Sequence, residues 1–153
     1  MNDKYGTQRP YAASYVIVKN AEGKVAFVMR SNTSWMNGFY GLPSGKTEIG
    51  EAFSAGAIRE AQEEIGIVVK SEDLKPTLTV HRNSKQNDGA SMEWVDQYFL
   101  VTTWEGEAFN AEPDVHNELA WLDPDNLPDN VIPEIAASVK AWSEGKSYFE
   151  YGW

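Results

Sequence analysis

Residues 45–67 read GKTEIGEAFSAGAIREAQEEIGI, and the periodicity of this stretch decides how the rest of the chain must be arranged. Apolar or small residues recur at Phe53, Ala57, Ile58, Ala61 and Ile65, which predicts an amphipathic helix. Gly66 follows where a helix C-terminus takes a left-handed residue. At about 100° per residue, Phe53, Ala57, Ala61 and Ile65 form one stripe roughly 120° wide. Glu64 falls about 20° from Ala57, inside the core-facing arc, and Glu60 about 60° to one side with Glu63 next to it. A mid-helix glycine costs about 1 kcal/mol relative to alanine. Gly56 therefore predicts that some other group approaches the backbone closely.

Glu48, Glu51, Glu60, Glu63 and Glu64, with Glu72 just beyond, surround a single arginine, Arg59. An ordinary Glu-rich helix would turn such carboxylates to water. Two features oppose that reading here. Glu60–Glu64 and Glu60–Glu63 place like charges at repelling spacings, and Glu64 carries a charge toward the apolar interface. A hard divalent cation such as Mg²⁺ or Mn²⁺ removes both objections, because it prefers carboxylate oxygen and keeps exchangeable waters.

With Gly45, then Glu51, then Arg59-Glu60-Ala61-Gln62-Glu63-Glu64-Ile65-Gly66-Ile67, the stretch resembles the signature of the Nudix hydrolases, in particular the small MutT-like members. Ala61 is the one soft departure, standing where a bulkier aliphatic residue is common. The resemblance implies an α+β chain folded as an α/β/α sandwich, a mixed β-sheet between helices. It implies hydrolysis of a nucleoside diphosphate linked to a further group. Glu60, Glu64 and Glu63 would hold the metal, with Glu63 and Glu51 also serving the chemistry and Arg59 orienting the glutamates. An auxiliary acid often comes from a later segment, and of Glu112, Asp114 and Glu118 the choice falls on Glu118.

The whole chain, 153 residues, is expected to form one domain, with 1–10 loose and 147–153 an aromatic tail. Its net charge of −10, from 13 basic and 23 acidic residues, argues against a nucleic-acid partner. It does not argue against a small phosphorylated substrate, provided that metal lies between the anions. The absence of cysteine excludes a thiolate nucleophile and a disulfide framework. No apolar run reaches membrane-span length and no leader opens the chain, so a cytoplasmic protein is expected.

Residues 11–19 and 24–30 are β-rich runs joined by a hairpin signal, Asn20-Ala21-Glu22-Gly23. Arg30, at the end of the second run, is a candidate phosphate ligand. Residues 39–45 (FYGLPSG) should be irregular and expose backbone groups to a ligand, with Gly45 and Lys46 as substrate contacts. Strands are expected at 75–82, 93–104 and 117–123, a polar loop at 83–91 and a second helix at 133–144 opened by Pro133. Tyr98 is the candidate for stacking on a base, with Trp94, Phe39 and Tyr40 as alternatives. His81 and His116 are expected to be structural. The tail SYFEYGW should dock on its own domain or on a second copy in a homodimer.

The window 82–85 lacks the proline or tyrosine that marks branches acting on ADP-ribose or dinucleoside polyphosphates. The expected substrate is therefore a small nucleotide, a (deoxy)nucleoside triphosphate or a relative of one. A non-catalytic nucleotide-sensing module on the same fold is the alternative.

Overall fold

Successive residues of the first strand, β1 (Tyr11–Val18), feed two separate apolar layers: Val16 and Val18 turn to one, Ile17 to the other. A strand covered on both faces must lie inside a sandwich. The computed structural model describes residues 4, 6, 7, 9–86 and 88–153. Residues 1–3, 5 and 8 of the segment expected to be loose, and Asn87 of the polar loop, lie outside the described residues.

β1 runs parallel to β6 (Ser91–Val101), pairing from Tyr11↔Trp94 to Val18↔Val101. Around this pair stand β4 (Ser44–Lys46), β5 (Lys75–Lys85) and β8 (Tyr148–Tyr151), giving a mixed sheet in the order β4-β1-β6-β5-β8. A smaller antiparallel sheet has β2 (Val25–Arg30) between β3 (Tyr40–Gly41) and β7 (His116–Leu122). The helix α1 (Phe53–Ile65) covers one layer, where Ala57, Ala61 and Ile65 meet Val16, Val28 and Phe99. The helix α2 (Pro133–Ser143) covers the other, where Ile135 and Val139 meet Ile17, Phe27 and Val80. Ile65 and Val139, both fully buried, each contribute about 1.5–3 kcal/mol. The expected α/β/α sandwich is what the chain forms.

The predicted stop of α1 holds as well: Gly66 adopts φ 70° and its N–H donates to Gln62 O at 3.0 Å. Several details differ from expectation, among them the end of β6 at Val101 rather than at residue 104. The β5–β6 hairpin is longer, with Lys85 paired to Ser91, because polar residues 83–85 find cross-strand partners. The 39–45 segment is not wholly irregular. Tyr40 and Gly41 pair with β2, and Ser44–Lys46 with β1, through long-range ladders that local composition does not encode. The aromatic tail forms β8, parallel to β5, and Trp153 Nε1 donates to His81 O at 3.0 Å, so the tail docks on its own domain. Among the described residues no helix is long and apolar enough to cross a membrane.

Candidate active site

Two glutamates of α1 are buried, each only 8% exposed: Glu64, which the angular argument placed in the core-facing arc, and Glu60, which it placed at the flank. The backbone makes room for them. β4 lies beside β1, with Gly45 paired to Ser14, and the Glu60 carboxyl rests against Gly45 so closely that a β-carbon there would lie 2.0 Å from Oε1. Gly56, one turn before Glu60, makes similar room for Glu51 and Ser14. A β-carbon on it would meet Glu51 Oε2 at 3.1 Å and Ser14 Oγ at 3.2 Å, while that hydroxyl donates to Phe53 O at 2.7 Å.

Arg59 is the hub. Its Nε and Nη2 donate to the two Glu51 oxygens at 2.8 and 3.0 Å, and its Nη1 donates to Glu60 Oε1 at 2.6 Å and Glu63 Oε2 at 3.2 Å. The forked guanidinium suits this task in a way that a lysine ammonium does not. Arg59 and the Glu48 N–H hold the Glu51 carboxyl down at about 2. Burial moves Glu60 the other way, against the pull of Arg59.

Glu64 is the most unusual group. Burial, then the nearby Glu60 and Glu112 charges, push its carboxyl well above the ordinary value, opposed by the Ser44 N–H and by Arg30. Its Oε2 is buried without a hydrogen-bond partner. A buried, unsatisfied carboxylate oxygen is costly unless a cation completes it. Among the described residues no three carboxylates or imidazoles already converge as a cation shell, and Glu60 Oε1 is engaged by Arg59. The donor set nevertheless fits a hard divalent cation: carboxylate oxygens only, one of them orphaned, beside a glycine cradle.

Beside these groups runs a cleft of about 900 Å³, bordered by Gly45, Lys46, Arg30, Trp35, Arg82 and Trp94. A smaller cavity of about 120 Å³, reached by Glu64 and His116, has Arg30, Tyr15, Ser44 and Glu134 in common with it. Arg30, Gly45 and Lys46 thus stand at the cleft beside the glutamates. Lys46 Nζ lies over the Tyr11 and Trp94 rings at 5.1 and 5.4 Å.

Two expectations are corrected. Tyr98 is 1% exposed and stacked on Tyr15 at 4.5 Å, so it is core and offers no face to a base. Glu118 accepts a hydrogen bond from the Tyr40 hydroxyl, pushing that phenol up to about 12. Its neighbour Leu119 packs on the α1 side, so Glu118 turns away from the glutamates. The acid from this region that acts on both Glu60 and Glu64 is Glu112. It is brought there because the Phe109 and Ala111 N–H groups donate to Ile65 O and Glu64 O at the end of α1. That docking is long-range, and no local pattern announces it.

The histidines also separate. His81 pairs with Glu93 at 2.6 Å and lies against Trp153, a structural role. His116 is buried in the cavity that Glu64 enters, with Nδ1 unpartnered and its pKa lowered by burial and by Arg30.

Residues 9–142 match the NUDIX domain family. The chain is 30% identical over 122 residues to an 8-oxo-dGTP diphosphatase of Escherichia coli (strain K12), covering 78% of this chain and 89% of the relative. It is 25% identical over 145 residues to an RNA pyrophosphohydrolase of Novosphingobium aromaticivorans, covering 87% and 89%. In fold it is similar to the crystal structure of a MutT NUDIX hydrolase from Burkholderia pseudomallei. There the TM-score is 0.73 at 24% identity, over 87% of this chain and 98% of the other.

Proposed function

This chain belongs to the Nudix family, and we propose that it is a Mg²⁺- or Mn²⁺-dependent hydrolase of a pyrophosphate bond in a small nucleotide, a (deoxy)nucleoside triphosphate or a relative of one. The observation that carries this reading is the pair Glu60 and Glu64: two inward carboxylates on one helix face, one with an oxygen buried and unpartnered. Glu60 and Glu64 would hold the cation, with Glu63 and Glu112 at its edge. When bound, a cation in such a shell neutralises phosphate charge and lowers the pKa of a water.

The other residues position the groups. Arg59 fixes Glu51 through two hydrogen bonds and steadies Glu60 and Glu63. Arg30 and Lys46 bring positive charge to a cleft in a chain of net charge −10, where they would meet phosphate oxygens. Glu112, whose carboxyl is raised above its ordinary value by burial and then by the Glu63 charge, is suited to accept a proton from attacking water. Phosphoryl transfer asks chiefly for placement and charge neutralisation, and this arrangement supplies both without a nucleophilic side chain.

The relatives include enzymes named for 8-oxo-dGTP and for RNA. The acidic balance favours a small nucleotide over an RNA end. A screen of nucleoside triphosphates, 8-oxo-dGTP, sugar nucleotides, dinucleotides and 5′-triphosphorylated RNA with Mg²⁺, with products identified, tests the proposal. Turnover abolished by EDTA is expected. No turnover of any of them would leave a nucleotide-sensing module.

A further inference from the structure

The loop between β2 and β3 is held far more tightly than a plain connection requires. Thr33 N–H donates to Asn37 Oδ1 at 3.0 Å, Asn37 Nδ2 returns a bond to Thr33 O at 2.8 Å, and Asn130 Nδ2 donates to Gly38 O at 3.0 Å. Asn32 and Met36 adopt φ values of 52° and 53°, a region that non-glycine residues enter only when their surroundings impose it. At the centre stands Trp35. Its carbonyl accepts from Arg30 Nε at 3.0 Å and from Thr33 Oγ1 at 2.8 Å, yet the residue is 48% exposed. A large indole carried on so firmly held a backbone and left half in water, at the border of the cleft, is placed for a ligand rather than for the core.

Of the other aromatic groups around the cleft, Tyr11 is half exposed but lies against Trp94 at 4.9 Å and under Lys46 Nζ, and it does not line the cleft, whereas the rest are buried or packed. Trp94 is 9% exposed and has the Arg82 guanidinium at 4.8 Å and Lys46 Nζ at 5.4 Å. Phe39 and Tyr40 pack into the α2 layer. The Arg30 guanidinium lies 5.5 Å from the Trp35 ring, which backs the indole while leaving half its surface open.

We infer that Trp35 is the specificity-determining residue that requires a flat heteroaromatic ring on the substrate, by stacking on the nucleobase while the phosphates lie toward Arg30 and Lys46. The inference rests on the reading of the cleft as a nucleotide site. Stacking of this kind tolerates every base, so Trp35 selects for the presence of a base and not for its identity. Ring-free phosphate anhydrides would gain nothing from it.

The test compares the parent with Trp35→Ala and Trp35→Phe. For a nucleotide that the parent hydrolyses, Trp35→Ala should raise KM roughly tenfold or more while lowering kcat far less, and Trp35→Phe should recover most of the KM. The inhibition constant of inorganic triphosphate should not change. In parallel, ATP and GTP should quench intrinsic tryptophan emission in the parent, inorganic triphosphate should not, and Trp35→Phe should lose that quenching. An unchanged KM in Trp35→Ala overturns the inference, as does a loss of inorganic triphosphate binding that matches the rise in KM. If no nucleotide is hydrolysed, the hydrolase reading fails. The emission experiment then still decides the role of Trp35.

Discussion

Gly45 and Glu60 occupy adjoining space with nothing to spare: a β-carbon on residue 45 would lie 2.0 Å from Glu60 Oε1 and 2.4 Å from its carboxyl carbon. The same oxygen receives Arg59 Nη1 at 2.6 Å. Gly45→Ala must therefore move the carboxylate out of its place between glycine and arginine. The displaced group is the end of a flexible side chain, so overpacking should cost less than the usual ~1–3 kcal/mol. Turnover should fall roughly 10- to 100-fold, as for other losses of support around a metal ligand. Kinetics together with melting curves in increasing Mg²⁺ check this; a normal metal response would sink it.

Glu112 and Glu118 offer a direct contrast, because both come from one short segment and only Glu112 acts on Glu60 and Glu64. Glu112→Gln should lower turnover, by roughly 100-fold if the carboxylate takes the proton. Glu118→Gln should leave turnover near the parent value, since Glu118 serves the Tyr40 hydroxyl. Measured kcat values in the opposite order would return the auxiliary role to Glu118.

These two residues also mark where sequence reading stops. The helix face, the inward Glu64, the close approach at Gly56 and the Gly66 stop all follow from local spacing, and all are present, whereas the burial of Glu60 comes from β4 lying beside it. Glu112 and His116 reach the cleft region through hydrogen bonds and ladders between distant segments, such as Ala111 N–H to Glu64 O and Arg30 opposite His116. No period within either segment records such a meeting. Tyr98 failed for the opposite reason. An aromatic residue on a strand gives no local sign of which face is covered, and this one lies beneath Tyr15.

The C-terminal strand yields a third prediction. Gly152 has φ 82°, and a β-carbon there would lie 2.0 Å from Asn83 O, a backbone atom that cannot easily yield. Gly152→Ala should cost about 1–3 kcal/mol by strain alone, and removing residues 147–153 should cost more by stripping β8 from the edge of β5. Thermal melts report both. A truncated chain that melts like the parent would mean that β8 contributes nothing to stability.

The last prediction concerns Glu64 in the absence of metal. Its carboxyl sits well above the ordinary value of 4.5, chiefly through burial and then through Glu60 and Glu112. The folded chain therefore binds a proton more readily than the unfolded one. Between 4.5 and the raised folded value, stability must fall as pH rises. Glu64→Gln keeps the shape, removes the charge and should flatten that decline in EDTA. Relief of helix-surface repulsion adds about 0.2–0.5 kcal/mol per pair. The variant should thus be at least as stable as the parent at neutral pH without metal, and should gain less when Mg²⁺ is added. Turnover should drop at least roughly 100-fold, the low end for one positioned charged group. Melts of both proteins across pH, with EDTA and with Mg²⁺, decide the matter. An equal response to Mg²⁺ in the two proteins would remove Glu64 from the cation site.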